Sequence, residues 1–352
     1  MIMENDTMAE DPERLMHPVR NDRDALIRGK FGGYMTGFAN AMILRTSFRL
    51  GLFDMAASPV SAKEISGKAG LDADLTVMLC DSLVQMGLLD RVEGGYVDSD
   101  VASAYLCRDS DTYQGNTLNG MFDNMDEWMH LEERLTTGPR HVRREEMFGE
   151  QWLRAIAESC LDGSVGAIVD EIDSRVDLSG YRTLLDLGGG HGLHSIGLVH
   201  KHPNLEATVF DVPMMCPIAM KNSERYGVPL RTIAGDFYKD DLGGPYDVVY
   251  SSFNLSTSDI RMADRVHGAV ADGGLLILRR HLPATSQDSI RNLEWSLRTW
   301  DGKGKKNYGG SWLPTAEAYI ERLIGLGMSM LVREQMDGSS ELVIMTKNPI
   351  HP

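Results

Sequence analysis

The chain has 352 residues, of which 42% are hydrophobic, so it is long enough to form two domains with buried cores. Lys and Arg number 35 against 51 Asp and Glu, and the net charge of -16 disfavours binding to nucleic acid backbones and to anionic membranes. The four cysteines form no CxxC pair, which argues against a zinc knuckle or a disulfide framework and favours the reducing cytoplasm.

The first 30 residues mix acidic, basic and proline residues around no apolar core, which is typical of a loose tail and not of a signal peptide. From Phe31 to Leu50 apolar residues recur mostly at steps of three and four, which predicts an amphipathic helix that Gly51 ends. No later segment reaches the apolar length of a membrane-spanning helix. We therefore expect a soluble chain without a membrane partner.

Residues 31–108 have the sequence features of a winged-helix domain. Ser61 precedes Glu64 in the order of a capping box, and Asp72 precedes a further helical run. A Glu-Gly-Gly turn at 93–95 then predicts a small hairpin. The order of three helices and a hairpin predicts a mainly α-helical winged-helix domain.

Residues 109–178 predict connecting helices, because bulky apolar residues recur there without the alternation of a strand. Met125, Trp128 and Met129 follow helical spacing, for which packing in a core is the ordinary explanation. The domain boundary is expected within this segment.

The remaining residues, 179–352, predict an α/β domain. Short apolar strands alternate with helical stretches, which is typical of a parallel sheet with crossover helices. The last two strands flank Asp337-Gly338 and predict a closing hairpin, so the sheet is expected to have seven mostly parallel strands. The predicted strands are Leu184–Leu187, Ala207–Phe210, Leu230–Ala234, Val248–Tyr250, Leu275–Leu278, Met330–Arg333 and Leu342–Met345.

A glycine-rich turn follows the first of these strands and opens a helix, where backbone N–H groups can meet the polar end of a ligand. Gly188 and Gly190 permit a close backbone approach, but Leu193 replaces the third glycine of a dinucleotide fingerprint and the turn holds no Lys or Arg. A nucleoside without phosphates therefore fits better than NAD. Asp211 and Asp236 end the next two strands, where they can bind ribose hydroxyls and an adenine amine.

These motifs resemble class I S-adenosylmethionine-dependent methyltransferases, specifically the small-molecule O-methyltransferases of plant phenylpropanoid and bacterial natural-product pathways. The resemblance runs in order over residues 31–347 and includes "LLDLGGGHG", "FDVP", "AGDF", "YDVVYSSFNLS" and "ADGGLLIL". It implies a Rossmann-like domain that binds S-adenosylmethionine and releases S-adenosylhomocysteine. It also implies an N-terminal dimerisation domain, a homodimer and a small-molecule acceptor.

The resemblance also implies roles for individual residues. Its cofactor contacts fall on Gly188, Gly190, Asp211, Asp236, Phe237 and Ser252. In this family the connecting helices roof the acceptor pocket, and Arg279 and Arg280 stand where many members have a Glu, so that they are candidates to pair with an acceptor carboxylate. The acceptor contacts expected on these grounds are Met125, Trp128, Met129, Asn254 and Arg280.

Two departures from the family concern its general base. Ser256 stands where O-methylating members have the His of a Leu-His-Asp-Trp stretch, and Gly309–Leu313 lack the acidic partner of a Gly-Gly-x-Glu-Arg-Thr stretch. The candidate catalytic residues are therefore Ser256 and, as a substitute base just after the fifth strand, His281. His191 and His194 are spaced as HxxH without a third ligand, so no metal site is predicted.

The missing base leaves several functions open. General-base assistance is needed only when the acceptor still carries its proton at attack, so O-methylation of an ionised oxygen and C-methylation of an acidic carbon both fit. A catalytically silent or nonmethylating homologue would have the same sequence features. A winged-helix regulator that senses a metabolite is disfavoured, because residues 72–90, its expected recognition helix, contain no Lys or Arg.

Overall fold

The structure is a computed structural model that describes residues 29–143, 149–282, 289–300, 316–336 and 340–348. The chain divides into two compact units, Met1–Tyr113 and Gln114–Pro352. The connecting helices expected between the two domains belong to the second unit.

The first unit is a helical domain that carries a two-stranded antiparallel hairpin, β1 and β2. Ser61 and Glu64 form the predicted capping box: the Glu64 N–H donates to the Ser61 hydroxyl at 3.2 Å, and the Ser61 N–H donates to the Glu64 carboxylate at 2.9 Å. The elements are α1 (Gly32–Arg49), α2 (Leu52–Ala56), α3 (Ala62–Ala69), α4 (Ala73–Gln85), β1 (Leu89–Val92), β2 (Gly95–Asp98) and α5 (Asp100–Tyr105).

Helix α1 exposes much of its apolar face in the single chain. Tyr34, Met35 and Phe38 are 59%, 67% and 47% exposed, whereas Phe48 near the end of the helix is buried. The predicted helix is confirmed, but most of its apolar face lies at the surface of the chain. A row of exposed apolar side chains is typical of a surface that binds another protein.

The second unit begins with connecting helices and continues as an α/β domain. Two short strands, β3 and β9, pair in parallel outside the main sheet. The connecting elements are α6 (Gly115–Met129), α7 (Leu131–Thr137), β3 (Arg140–His141), α8 (Glu150–Ser159) and α9 (Ser164–Asp173). The rest are β4 (Thr183–Leu187), α10 (Leu193–Lys201), β5 (Glu206–Asp211), α11 (Cys216–Tyr226), β6 (Leu230–Ala234), β7 (Tyr246–Ser252), α12 (Ala263–Ala269), β8 (Val270–His281), α13 (Ser289–Ser296), β9 (Arg298–Thr299), α14 (Ala316–Gly325), β10 (Met328–Gln335) and β11 (Ser340–Lys347).

The main sheet has seven strands in the order β10-β11-β8-β7-β4-β5-β6. Only β11 runs antiparallel to its neighbours, and it pairs with both β10 and β8. The predicted mostly parallel, seven-stranded sheet is therefore confirmed. Helices cover both faces, since Leu184 of β4 packs into one apolar cluster and Leu185 packs into the other. Burial on both faces explains why these strands are almost continuously apolar.

Strand β8 is longer than its sequence predicts. The apolar run ends at Leu278, but the backbone continues as a strand to His281 because β11 pairs with the extra residues, Leu342 lying opposite Arg279. Successive side chains of a strand point to opposite faces, so Arg279 and His281 share one face and Arg280 lies on the other. Across the described residues, no helix has both the length and the apolar character to cross a membrane.

Candidate functional site

The neighbouring strands β4 and β7 mark the point where the strand order of the sheet reverses. In open α/β sheets, ligands bind outside the carboxyl ends of the strands at such a point. Asn254 joins the two strand ends here, because its side-chain amide donates to the carbonyl oxygen of Leu187 at 2.8 Å. The crevice at these strand ends is the candidate site.

The glycine-rich turn after β4 forms one side of the crevice. Gly188 and Gly190 have φ angles of 72° and 53°, which L side chains rarely adopt. A Cβ atom at Gly188 would lie 2.5 Å from the amide nitrogen of Asn254, so no larger residue fits there without a shift. The positive φ angle and the close packing of the Asn254 side chain therefore both require glycine at position 188.

Asp211 closes β5 directly beside this turn. One oxygen of its carboxylate accepts from the Gly190 N–H at 2.8 Å, and the other accepts from the Val212 N–H at 2.7 Å. Burial raises the pKa of Asp211, and the two N–H donors oppose that rise. A carboxylate offers about four acceptor positions, so Asp211 retains capacity for two further donors such as vicinal hydroxyls.

Asp236 and Phe237 follow β6, next to Asp211. The Gly235 N–H donates to the Asp211 carbonyl oxygen at 2.9 Å, which links the two strand ends. The Tyr238 N–H donates to the Asp236 carboxylate at 2.9 Å and lowers its pKa. Asp236 is therefore an ionised acceptor, and the structure brings it together with Gly190 and Asp211 at one edge of the crevice.

Ser256, at the position of the family's histidine, lies inside the fold. It is fully buried, and its hydroxyl lies 2.6 Å from both the Asn254 side-chain oxygen and the Ser251 hydroxyl. An acceptor cannot reach a hydroxyl without exposed surface, so the structure contradicts the predicted catalytic role of Ser256. Asn254 is engaged in the same network and holds the strand ends together.

Phe253 brings the ends of β7 and β8 together. Its φ angle is 53°, a left-handed conformation that costs a side-chain-bearing residue about 1–3 kcal/mol. Its ring stacks on the His281 ring with centroids 4.5 Å apart, and the Arg279 guanidinium carbon lies 4.7 Å from its centroid. The structure thus places His281 at the strand end, as predicted, beside an aromatic residue that the sequence did not single out.

Arg280 points to the opposite face of the sheet. It is 1% exposed, and its Nε donates to the Glu341 carboxylate at 2.6 Å. A second carboxylate, that of Glu317 in α14, lies 3.4 Å from its terminal nitrogen. The predicted contact between Arg280 and an acceptor is therefore wrong, because strand alternation turns its side chain into a buried ion-pair network.

Of the two histidines of the HxxH stretch, His191 is buried and His194 is half-buried, and both are neutral. Burial lowers the pKa of His191 to about 4, and burial with the nearby His191 and Arg279 lowers the pKa of His194 to about 3. The Nδ1 atom of His191 accepts from the Leu193 N–H at 3.1 Å, and its Nε2 lies 3.5 Å from the Cys160 sulfur. Within the described part of the chain, no group of three or more His, Cys, Asp or Glu residues converges on a metal position.

The predicted acceptor residues of α6 differ in their surroundings. The Trp128 indole N–H donates to the Glu294 carboxylate at 2.8 Å, and the Asn124 amide donates to the same carboxylate at 2.9 Å. Met125 is partly buried and Met129 is 65% exposed. The sequence did not single out Glu294, because a lone acidic residue in a short helix carries no pattern. The predicted departure at Gly309–Leu313 lies outside the described residues.

Two family models match the chain in order. The O-methyltransferase dimerisation domain matches residues 33–108, and the O-methyltransferase domain matches residues 143–300. The first match covers α1 with its exposed apolar face and supports a homodimer.

The chain is also similar to individual proteins. It is 30% identical to an uncharacterised protein of Methanocaldococcus jannaschii over 320 residues, 87% of this chain and 84% of the relative. It is 27% identical to the N,N-dimethyltransferase OxyT of Streptomyces rimosus over 287 residues, 74% and 82% of the two chains. The fold resembles human N-acetylserotonin methyltransferase, solved in complex with S-adenosylmethionine, with a TM-score of 0.66, 20% identity and coverage of 95% and 100%.

Proposed function

Because this chain belongs to the O-methyltransferase family and is an S-adenosylmethionine-dependent methyltransferase, we propose that it methylates a small molecule without the family's usual histidine base. The observation that carries this proposal is the burial of Ser256, whose hydroxyl is occupied by Asn254 and Ser251. No proton acceptor is therefore available at the position where family members have the histidine.

The residues around the glycine turn fit the cofactor. Gly188 and Gly190 hold the left-handed backbone of a tight turn at the strand end, Asp211 has acceptor capacity for the ribose hydroxyls, and Asp236 is an ionised acceptor on the adenine side. We assign Phe237 to the same edge, and Ser252 to the far end of the cofactor at the end of β7. When bound, the cofactor supplies an electrophilic methyl group on a sulfonium.

His281 is the proposed base or orienting residue. It lies at the carboxyl end of β8 and stacks on Phe253, which restricts the orientation of its ring. His191 and His194 do not suit this role, because their pKa values of about 4 and 3 make them very weak bases. Correct placement of an acceptor can itself remove about 7–11 kcal/mol of the barrier, so strong base assistance is not essential.

The acceptor class follows from this chemistry. An amine with a free lone pair, an ionised phenol and an enolate all attack without first losing a proton at the enzyme. OxyT is named as an N,N-dimethyltransferase, which supports nitrogen as an acceptor atom in addition to the oxygen and carbon that the sequence left open. We propose that Met125 and Met129 contact this acceptor, and that Trp128 does so while Glu294 holds its indole.

The proposal is tested by conversion of S-adenosylmethionine to S-adenosylhomocysteine with a panel of phenols, aromatic amines and 1,3-dicarbonyl compounds. We expect turnover with at least one of these acceptor classes. If His281 is the base, His281→Ala lowers the rate of conversion by about 10²-fold or more. His200→Ala, an exposed histidine of α10, is the matched control and should turn over normally.

The dependence of the rate on pH separates the two roles of His281. A base gives a rate that rises with pH through the histidine pKa in the wild type, and His281→Ala removes that rise. Cofactor uptake without conversion of any acceptor class would contradict methyl transfer and favour the catalytically silent homologue.

A further inference from the structure

Arg279 is a partly buried cation that pairs with no carboxylate among the described residues. Its Nε atom is buried and has no hydrogen-bond partner within the described part of the chain, and one terminal nitrogen lies 3.3 Å from the His194 Nε2 and 3.5 Å from the Ser252 hydroxyl. The adjacent Arg280, by contrast, contacts two carboxylates. The two arginines are adjacent in β8 and lie on opposite faces of the strand.

The neighbours of Arg279 supply no negative charge. The guanidinium can only donate, so the His194 Nε2 must be the unprotonated nitrogen of a neutral ring. Tyr250, on the same face of the sheet, is fully buried; burial raises its pKa to about 12, and the nearby Arg279 and Ser252 oppose that rise. The Arg279 Nε is therefore a buried donor that no described residue satisfies.

Such an arrangement is costly unless an anion binds to it. A buried charge is ordinarily paired, and a buried donor without a partner destabilises a protein by about 1–3 kcal/mol. The planar guanidinium binds carboxylates through two parallel hydrogen bonds, and its carbon lies 4.7 Å from the centroid of the Phe253 ring, which restricts its movement. The missing partner is therefore best matched by a carboxylate.

The sheet order places a carboxylate within reach. The ribose and adenine positions proposed above lie at Asp211 and Asp236 on β5 and β6, and the order then runs through β4 and β7 to β8. Strands lie about 4.8 Å apart, so Arg279 on β8 is roughly 10 Å from the glycine turn after β4. The amino-acid end of a nucleoside ligand that crosses this turn extends towards β7 and β8, and an acceptor binds beyond it.

We propose that Arg279, with Ser252 and His194 beside it, forms a carboxylate-binding subsite at the ends of β7 and β8. The proposal rests on the proposed function, because it takes the cofactor to lie across the glycine turn. The carboxylate belongs either to the amino-acid group of the cofactor or to the acceptor, and the two sources are separable by experiment.

The first arm of the test measures calorimetric affinity for S-adenosylmethionine, S-adenosylhomocysteine and decarboxylated S-adenosylmethionine. If the cofactor is the source, the wild type binds the decarboxylated compound about 10- to 100-fold more weakly than S-adenosylmethionine. Arg279→Gln then lowers affinity for S-adenosylmethionine to that same level and leaves the decarboxylated compound unaffected, and Arg279→Lys lies between. Arg231→Gln, a mostly exposed arginine of β6, is the matched control.

The second arm measures binding of 3-hydroxy-2-naphthoate and 2-naphthol to the S-adenosylhomocysteine complex. If the acceptor is the source, Arg279→Gln leaves all cofactor affinities unchanged and removes a preference for the naphthoate over the naphthol. Unchanged affinities in both arms, with an unchanged melting temperature, would overturn the subsite. A wild type that takes up no S-adenosylmethionine would instead contradict the proposed function, which keeps the two failures distinct.

Discussion

The two halves of the crevice are built in different ways. The cofactor half, at the ends of β4, β5 and β6, consists of a glycine turn and short carboxylates that contact the backbone, such as Asp211 with Gly190. The other half, at the ends of β7 and β8, consists of long side chains that hold each other, with Phe253 between Arg279 and His281. A binding site made of backbone tolerates little change, whereas one made of side chains can acquire a new specificity through few substitutions.

The largest predicted effect concerns Arg280, which lies on the face of β8 opposite Arg279. Arg280→Gln leaves the Glu341 carboxylate, which is also buried, without one of its two arginine partners. Breaking a buried ion pair costs about 3–5 kcal/mol, so the free energy of unfolding should fall by that amount in chemical denaturation. Arg279→Gln is the matched variant and should lose little stability, since it breaks no ion pair among the described residues. Equal losses in the two variants would remove the distinction between the faces of β8.

The next effect lies in the cofactor half. Asp211→Ala removes the proposed acceptor for the ribose hydroxyls and frees the N–H groups of Gly190 and Val212. Two hydrogen bonds to a charged group correspond to about 3 kcal/mol, or a loss of about 100-fold in affinity for S-adenosylmethionine by calorimetry. Glu206→Ala, at the opposite end of β5, controls for loss of a strand carboxylate. Wild-type affinity in Asp211→Ala would show that the ribose lies elsewhere.

The smallest predicted effect is on the pH dependence of stability. His191 and His194 titrate near 6.5 when unfolded but near 4 and 3 when folded, so the unfolded state binds more protons in acid. The free energy of unfolding is therefore highest, as far as these two histidines are concerned, above pH 6.5. It falls as pH falls, by about 2 kcal/mol for each histidine at pH 5. Burial raises the pKa of Asp186 to about 7, so this carboxyl has the opposite effect: its contribution to the free energy of unfolding is lost as pH rises towards 7.

A difference measurement isolates the histidine contribution from that of Asp186. His194→Phe keeps an aromatic ring against Tyr250 but cannot take up a proton. As pH falls from 6.5 to 5, the free energy of unfolding of this variant should therefore rise relative to that of the wild type by about 2 kcal/mol. Urea denaturation at each pH measures this difference. Parallel pH profiles for the two proteins would mean that His194 is not held neutral by the fold.

The features that could be predicted from the sequence are those determined by residues close to each other along the chain. Gly188, Gly190 and Asp211 follow from a turn that requires glycine and from strands with a clear apolar pattern, and the capping box at Ser61 is a contact between residues three apart. These features are specified by neighbours along the chain. The turn after β4 and the carboxylate that ends β5 were therefore predictable, while their contacts with the cofactor stay a prediction.

The acceptor half depends on contacts between distant residues. The apolar run of β8 ends at Leu278, so nothing local shows that pairing with β11 extends the strand and turns Arg280 away from the crevice. The Ser256 hydroxyl is likewise occupied by hydrogen bonds with Ser251 and Asn254. A short 3-10 turn after β7 brings these three residues together. Tertiary pairing, which single-sequence patterns do not contain, decides these positions.

The exposed apolar row on α1 has a thermodynamic consequence. If a second subunit covers Tyr34, Met35 and Phe38, part of the folding free energy of each chain is released only on association. The melting temperature of such a protein rises with its concentration, because mass action favours the assembled state. Dilution therefore lowers the stability of this enzyme, because it favours dissociated chains. Affinities measured at nanomolar chain concentration then refer to a less stable molecule than those measured at micromolar concentration.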